Sequence, residues 1–139
     1  MSKIGISTDV DEALPKILIL THGYFGQELI KSAEMIMGKI EEISFISLTT
    51  DFSIEEYRTH VGNAVEQMNE ESIILVDLFG GTPCNTVALL SRSHKLNAIV
   101  GVNLSVLIES VLLREQYKGK ELCEKVIENT ASSIHVLNV

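Results

Sequence analysis

The chain has few cysteines, few basic residues and no long apolar run. Its two cysteines, Cys84 and Cys123, lack the spacing of a metal or redox motif, so we expect reduced thiols in a cytoplasmic protein and no metal site. Lysine and arginine number 11 against 19 acidic residues, a formal net charge of −8, which argues against nucleic acid as a partner. No run reaches the ~18 apolar residues of a membrane-spanning helix.

Several catalytic and nucleotide-binding motifs are also missing. The sequence contains no Walker A motif, no G-x-G-x-x-G after its first predicted strand and no G-x-S-x-G serine elbow. These absences argue against nucleotide binding and against a serine hydrolase. We therefore expect no bound cofactor.

The composition that is present predicts one globular domain. Hydrophobic residues make up 45% of the 139 residues, enough for an ordinary core. Residues 1–15 have neither the basic start nor the apolar core of a signal peptide. They are either an extra lead-in to the domain or a remnant of cloning, and we expect the domain itself to span residues 16–139.

Strand and helix patterns alternate along that domain. Apolar runs predict strands at 17–21, 42–48, 72–77, 97–102 and 134–137, and helical periodicity predicts helices at 28–37, 53–69, 82–93, 105–114 and 120–132. Alternation of this kind predicts an α/β fold, a doubly wound and mostly parallel sheet with helices on both faces. In a 2-1-3-4 strand order, the first and third strands are neighbours at the point where the winding reverses.

Polar residues follow the first and third predicted strands. His22 ends the first and Asp77 ends the third, so the two side chains should meet across one crevice although they are 55 residues apart. An aspartate that accepts a hydrogen bond from one ring nitrogen leaves the other nitrogen free for attack. A structural histidine and a capping aspartate are the alternative interpretation.

A glycine turn follows Asp77. Gly80 and Gly81 allow close backbone approach to a ligand, and we expect Thr82 to be the N-cap of the next helix, with Pro83 at its first position. The helix start suits a phosphoryl group, although the same turn also fits an ordinary strand-to-helix connection. The Thr82 hydroxyl could add a donor to this site.

Three aromatic residues flank the predicted site in loops. They form either an apolar docking rim or the closure of the core at that edge. They are Tyr24, Phe25 and Phe79.

Three segments of the chain resemble the IIA component of the mannose-family sugar phosphotransferase system (PTS), from about residue 16 to the C-terminus. They are Thr21-His22-Gly23, Val76-Asp77-Leu78-Phe79-Gly80-Gly81-Thr82-Pro83-Cys84-Asn85 and Val100-Gly101-Val102-Asn103-Leu104. Leu78 stands where some members have threonine, and Cys84 where some have an aromatic residue. The lead-in before Lys16 is also unusual for that family.

The resemblance implies a phosphoryl carrier. His22 would accept phosphate on Nε2 from phospho-HPr, the system's phosphocarrier protein, and pass it to a IIB component, with Asp77 bonded to the other ring nitrogen. The expected phosphoryl-binding residues are Gly80, Gly81, Thr82 and Thr21.

The resemblance also implies partners and a location. The membrane components IIC and IID would be indirect partners of a cytoplasmic, peripherally associated protein. Family members are homodimers in which a C-terminal strand crosses to the partner, and residues 134–137 are placed to do this as a short antiparallel strand at the sheet edge.

Other functions remain open at this stage. One is a regulatory IIA-like module that senses phosphorylation, and another is the phosphodonor subunit of dihydroxyacetone kinase. The least specific alternative is a flavodoxin-like domain that binds a small molecule.

Overall fold

A computed structural model describes residues 2–6 and 14–138 of the chain. These residues form the following strands and helices, in chain order: β1 (Ile4–Ile6), β2 (Ile17–His22), α1 (Phe25–Met37), β3 (Ile43–Leu48), α2 (Ile54–Glu66), β4 (Ile73–Val76), α3 (Thr82–Leu90), β5 (Ala98–Val100), α4 (Leu104–Leu113) and α5 (Gly119–Thr130). None of the described helices is long and apolar enough to cross a bilayer.

The strands form one mixed sheet in the order β1-β3-β2-β4-β5. β3, β2, β4 and β5 are mutually parallel, and β1 pairs antiparallel with β3. The α/β architecture with a mostly parallel sheet therefore agrees with the sequence prediction, but the antiparallel strand comes from the opposite end of the chain.

Helices cover both faces of the sheet. On one face, Ile19, Leu75 and Leu107 belong to a core shared with α1, α4 and α5. On the other, Leu20 and Val76 belong to a second core shared with α2 and α3. Burial on both faces explains why the central strands are continuous apolar runs.

The lead-in is partly a strand of the sheet, which corrects the sequence prediction. Ile4, Gly5 and Ile6 pair with Ile46, Phe45 and Ser44 of β3, and a side chain at Gly5 would collide with the Phe45 ring. Three residues are too few to show a strand period, and the packing on Phe45 is a long-range contact, so the sequence carried no signal for β1. Residues 7–13 of the predicted lead-in lie outside the described residues.

The predicted C-terminal strand at 134–137 is wrong for the single chain. Residues 131–138 form neither helix nor strand, and Ile134, Val136 and Leu137 are 83%, 81% and 75% exposed. A strand needs a neighbouring edge to satisfy its backbone groups, and within the described residues this segment pairs with none.

A buried arginine ties together the starts of two strands. Arg114, the C-cap residue of α4, is 3% exposed. Its guanidinium donates hydrogen bonds to the carbonyl oxygens of Pro15 and Glu42, both at 3.1 Å, and to that of Glu41. These carbonyls precede β2 and β3, so one side chain fixes the relative position of both strand starts.

Candidate functional site

The predicted contact between His22 and Asp77 is present at the carboxyl edge of the sheet. His22 is the last residue of β2, and Asp77 directly follows the adjacent parallel strand β4. Asp77 Oδ2 lies 2.8 Å from His22 Nδ1 and accepts a second hydrogen bond, also of 2.8 Å, from the His22 backbone N–H. Asp77 Oδ1 accepts from the Leu78 N–H at 2.9 Å. Both carboxylate oxygens are therefore held, which fixes the orientation of the imidazole.

This contact leaves the other ring nitrogen accessible. A carboxylate only accepts hydrogen bonds, so its contact with Nδ1 requires a hydrogen there and places the lone pair of the neutral ring on Nε2. The His22 side chain is 46% exposed, whereas that of Asp77 is 10% exposed. The arrangement can present a nucleophilic nitrogen whose partner is shielded from solvent.

The glycine turn lies against the imidazole. A Cβ atom at Gly81 would stand 2.6 Å from His22 Cε1 and 3.2 Å from Nε2, so a side chain there would displace the ring. Gly80 has a φ of +84°, which favours glycine. Both glycines are therefore needed where the sequence analysis placed them.

Asn85 holds this turn and was missed by the sequence analysis. Its side-chain amide donates to the Gly80 carbonyl at 3.2 Å, and its backbone N–H donates to the Gly81 carbonyl at 2.9 Å. The tendency of asparagine to bond nearby backbone groups was the available signal.

The predicted cap of α3 needs a correction of one residue. Gly81, in extended conformation, is the N-cap, and Thr82 is the first helical residue. Because α3 has no side-chain cap, the Thr82 hydroxyl is not used in capping, and it makes no hydrogen bond within the part of the chain that is described. The N–H groups of a helix's first turn have no partner within the helix, and the positive end of its dipole lies there.

Thr21 does not belong to the phosphoryl-binding side of this site. It is buried, and its hydroxyl accepts from the Gly26 N–H at 2.9 Å and contacts the Gly23 carbonyl at 3.5 Å. These bonds stabilise the turn from β2 into α1. The hydroxyl is therefore not available to a ligand beside His22.

The aromatic residues near His22 favour a surface rim over core closure. Phe25 and Phe79 are exposed, and so is Leu78, which the sequence analysis did not include in the rim. Tyr24 is partly buried and is the N-cap residue of α1. Exposed apolar groups beside a reactive side chain are typical of a docking surface.

The fold and the site define an α/β domain whose histidine–aspartate pair lies at the carboxyl edge of a parallel sheet, beside a helix start. The family described as the PTS system fructose IIA component matches residues 16–127. The chain belongs to this family.

Individual relatives agree with the family assignment. The chain is 29% identical over 123 residues to the PTS system fructose-specific EIIA component of Bacillus subtilis (strain 168), covering 86% of this chain and 84% of that protein. It is 30% identical over 105 residues to the PTS system mannose-specific EIIAB component of Escherichia coli (strain K12), covering 71% of this chain and 32% of that longer protein. The crystal structure of a PTS component EIIA from Streptococcus agalactiae superposes with a TM-score of 0.82 at 31% identity, covering 88% of this chain and 97% of that one.

Proposed function

We propose that this protein is a phosphoryl carrier of a sugar phosphotransferase system. His22 accepts phosphate on Nε2 from phospho-HPr and passes it to a IIB component for sugar uptake and phosphorylation, with the membrane components IIC and IID as indirect partners. The observation that carries the proposal is the bond of His22 Nδ1 to Asp77, which leaves Nε2 accessible. Membership of the family supports it.

The proposed step is an in-line displacement at phosphorus. The Nε2 lone pair of neutral His22 forms a new N–P bond while the N–P bond to the donor's histidine breaks. The departing imidazole keeps the electron pair of that bond and takes up a proton. Positive charge develops on the His22 ring, and the Asp77 carboxylate at Nδ1 stabilises it. Transfer to IIB is a second displacement of the same kind, in which the acceptor atom of IIB forms the new bond to phosphorus while the Nε2–P bond of His22 breaks and His22 returns to its neutral form.

The start of α3 provides the phosphoryl-binding surface. Gly80 and Gly81 bring the backbone close to Nε2, and Thr82 supplies a hydroxyl that no other described group uses. The free N–H groups and dipole of α3 favour the negative oxygens. Catalysis of this kind rests on positioning and electrostatics.

The rim of Phe25, Leu78 and Phe79 is the proposed docking surface for both protein partners. Its residues lie close in sequence to His22 or to Asp77, and all three side chains are exposed. Phospho-HPr as donor and IIB as acceptor must each bring a nitrogen or sulfur atom to the same phosphorus. The two partners therefore dock on the same rim, one after the other. This role places the protein in the cytoplasm, associated with the membrane only through the transporter.

Phosphate uptake tests the proposal directly. We expect the protein incubated with phosphoenolpyruvate, enzyme I and HPr to take up one phosphoryl group, in a bond that is labile to acid and stable to alkali. Labelled phosphoenolpyruvate and intact mass spectrometry measure it, and omission of HPr is the control. No uptake contradicts the proposal, uptake without onward transfer to any IIB favours a regulatory sensor, and transfer to dihydroxyacetone kinase favours the phosphodonor role.

We further propose a homodimer in which the tail at 134–137 pairs with β5 of a second copy. β5 is paired with β4 on one side only, and Ala98 and Val100 are exposed. The strand at the opposite edge of the sheet is the three-residue β1, which pairs antiparallel with β3. An open edge and an extended apolar segment satisfy each other's backbone groups when they pair.

A charge in the tail tests the dimer. Val136→Asp places a carboxylate where an apolar side chain becomes buried, so we expect the dimer dissociation constant to rise roughly 100-fold, measured by sedimentation. Met35→Asp is the matched control, because Met35 is 88% exposed and lies on α1. A wild-type monomer, or a Val136→Asp dimer as tight as the wild type, contradicts the proposal.

A further inference from the structure

Tyr57 carries a buried hydroxyl that the mechanism above does not use. Its side chain is fully buried among apolar residues of the second core and packs edge-on against Phe52, with ring centroids 6.0 Å apart. Within the described residues, the Tyr57 hydroxyl has no hydrogen-bond partner. A buried hydroxyl that is left unsatisfied is destabilising, so a chain that needed only an apolar ring here would gain from phenylalanine.

Tyr57 lies at the end of α2 that is nearest in the chain to the edge of the sheet where His22 lies. Tyr57 is in the first turn of α2, which begins at Ile54 and is capped by Ser53. This helix start follows the carboxyl end of β3, where Leu48 is paired with His22. Helical side chains lean toward the N-terminus of their helix, so the ring leans toward this edge.

Asp77 acts on the Tyr57 hydroxyl electrostatically. Burial, and then the negative charge of Asp77, raise the pKa of Tyr57 well above its usual range. The hydroxyl therefore keeps its hydrogen at all physiological pH values and is available as a donor. The other charged or titratable neighbours of this aromatic pair, Lys3 and His60, lie against the Phe52 ring.

We propose that Tyr57 is a positioning residue for the Asp77–His22 pair. Its hydroxyl donates, through one intervening water molecule, to the Asp77 carboxylate and holds that carboxylate against His22. Buried polar groups are commonly satisfied by such enclosed water. The proposal deepens the function proposed above and rests on it for the role of His22.

Tyr57→Phe tests this inference, because it removes only the hydroxyl. We expect the nitrogen-15 signals of the His22 ring, recorded in alkaline buffer, to show a smaller fraction of the tautomer with hydrogen on Nδ1. Acceptance of phosphate from phospho-HPr should fall roughly fivefold, the effect of one hydrogen bond. Tyr117→Phe is the matched control, because Tyr117 packs against the core on the opposite face of the sheet.

The outcomes separate this inference from the proposed function. Ring signals that are the same in Tyr57→Phe and wild type overturn it, as does an equal change in Tyr117→Phe. A changed tautomer with an unchanged rate also overturns it, since the positioning would then have no effect on transfer. The ring signals need no partner protein, so they still decide whether Tyr57 orients the pair if wild-type protein takes up no phosphate.

Discussion

We expect His22→Gln to lower phosphate uptake from phospho-HPr by roughly 10³-fold or more, to background. Glutamine keeps a polar side chain of moderate size, but its amide nitrogen has no lone pair available for attack on phosphorus. The Asp77 carboxylate stays hydrogen-bonded to the backbone N–H groups of residue 22 and Leu78, so the fold at the sheet edge is retained. Initial rates with labelled phosphoenolpyruvate measure the effect.

His60→Gln is the control for this loss. His60 lies on α2 against the Phe52 ring, with centroids 5.2 Å apart, and has no place in the transfer step. Its replacement should leave uptake at the wild-type rate. Labelling of His22→Gln at a rate near that of the wild type would mean that another residue carries the phosphoryl group.

The second large effect concerns stability. Arg114→Met should lower the free energy of unfolding by about 3 kcal/mol, because methionine keeps part of the aliphatic volume but removes the guanidinium donor from the carbonyl oxygens of Pro15 and Glu41. The Glu42 carbonyl also loses that donor but keeps its hydrogen bond from the Ile17 N–H. Removal of a desolvated charge offsets part of the cost. Urea denaturation measures the change.

Arg58→Met is the matched control for stability. Arg58 is exposed on α2, where an arginine-to-methionine change should shift the free energy of unfolding by less than about 0.5 kcal/mol. Equal stability of the Arg114 and Arg58 variants would show that the three carbonyl bonds contribute nothing net. The folded Arg114→Met protein should still take up phosphate, because Arg114 is at the opposite end of the strands from His22.

The centre of the site was predictable because it depends on local patterns and one topological rule. An apolar run that ends in His22 and another that ends in Asp77 mark the ends of two parallel strands, and adjacent parallel strands bring such ends together. Gly80 and Gly81 were recognisable from the turn chemistry of glycine. The one-residue error at Thr82 arose because an extended Gly81 serves as N-cap as well as a hydroxyl residue does.

The residues that sequence reasoning misplaced depend on contacts across the chain. Thr21 looks available beside His22, but its hydroxyl is used by the turn into α1, which only the fold reveals. The strand β1 depends on Gly5 packing on Phe45, a contact with no local signature. The sequence pattern gives Tyr57 the place of an ordinary core aromatic residue in a helix. What distinguishes it is that its buried hydroxyl has no hydrogen-bond partner among residues 2–6 and 14–138.

The pairing of β1 with β3 affects how many copies of the chain can join through their sheet edges. A sheet with two bare edges can recruit further chains at both ends and grow into fibres. In this chain the two edge strands are β1 and β5, and β1 is only three residues long, so its outer side offers few backbone groups to another chain. Pairing through the tail in the proposed dimer would cover the β5 edge in both copies at once. A very short edge strand is a poor template for a further strand, so β1 disfavours growth of the sheet at its other end.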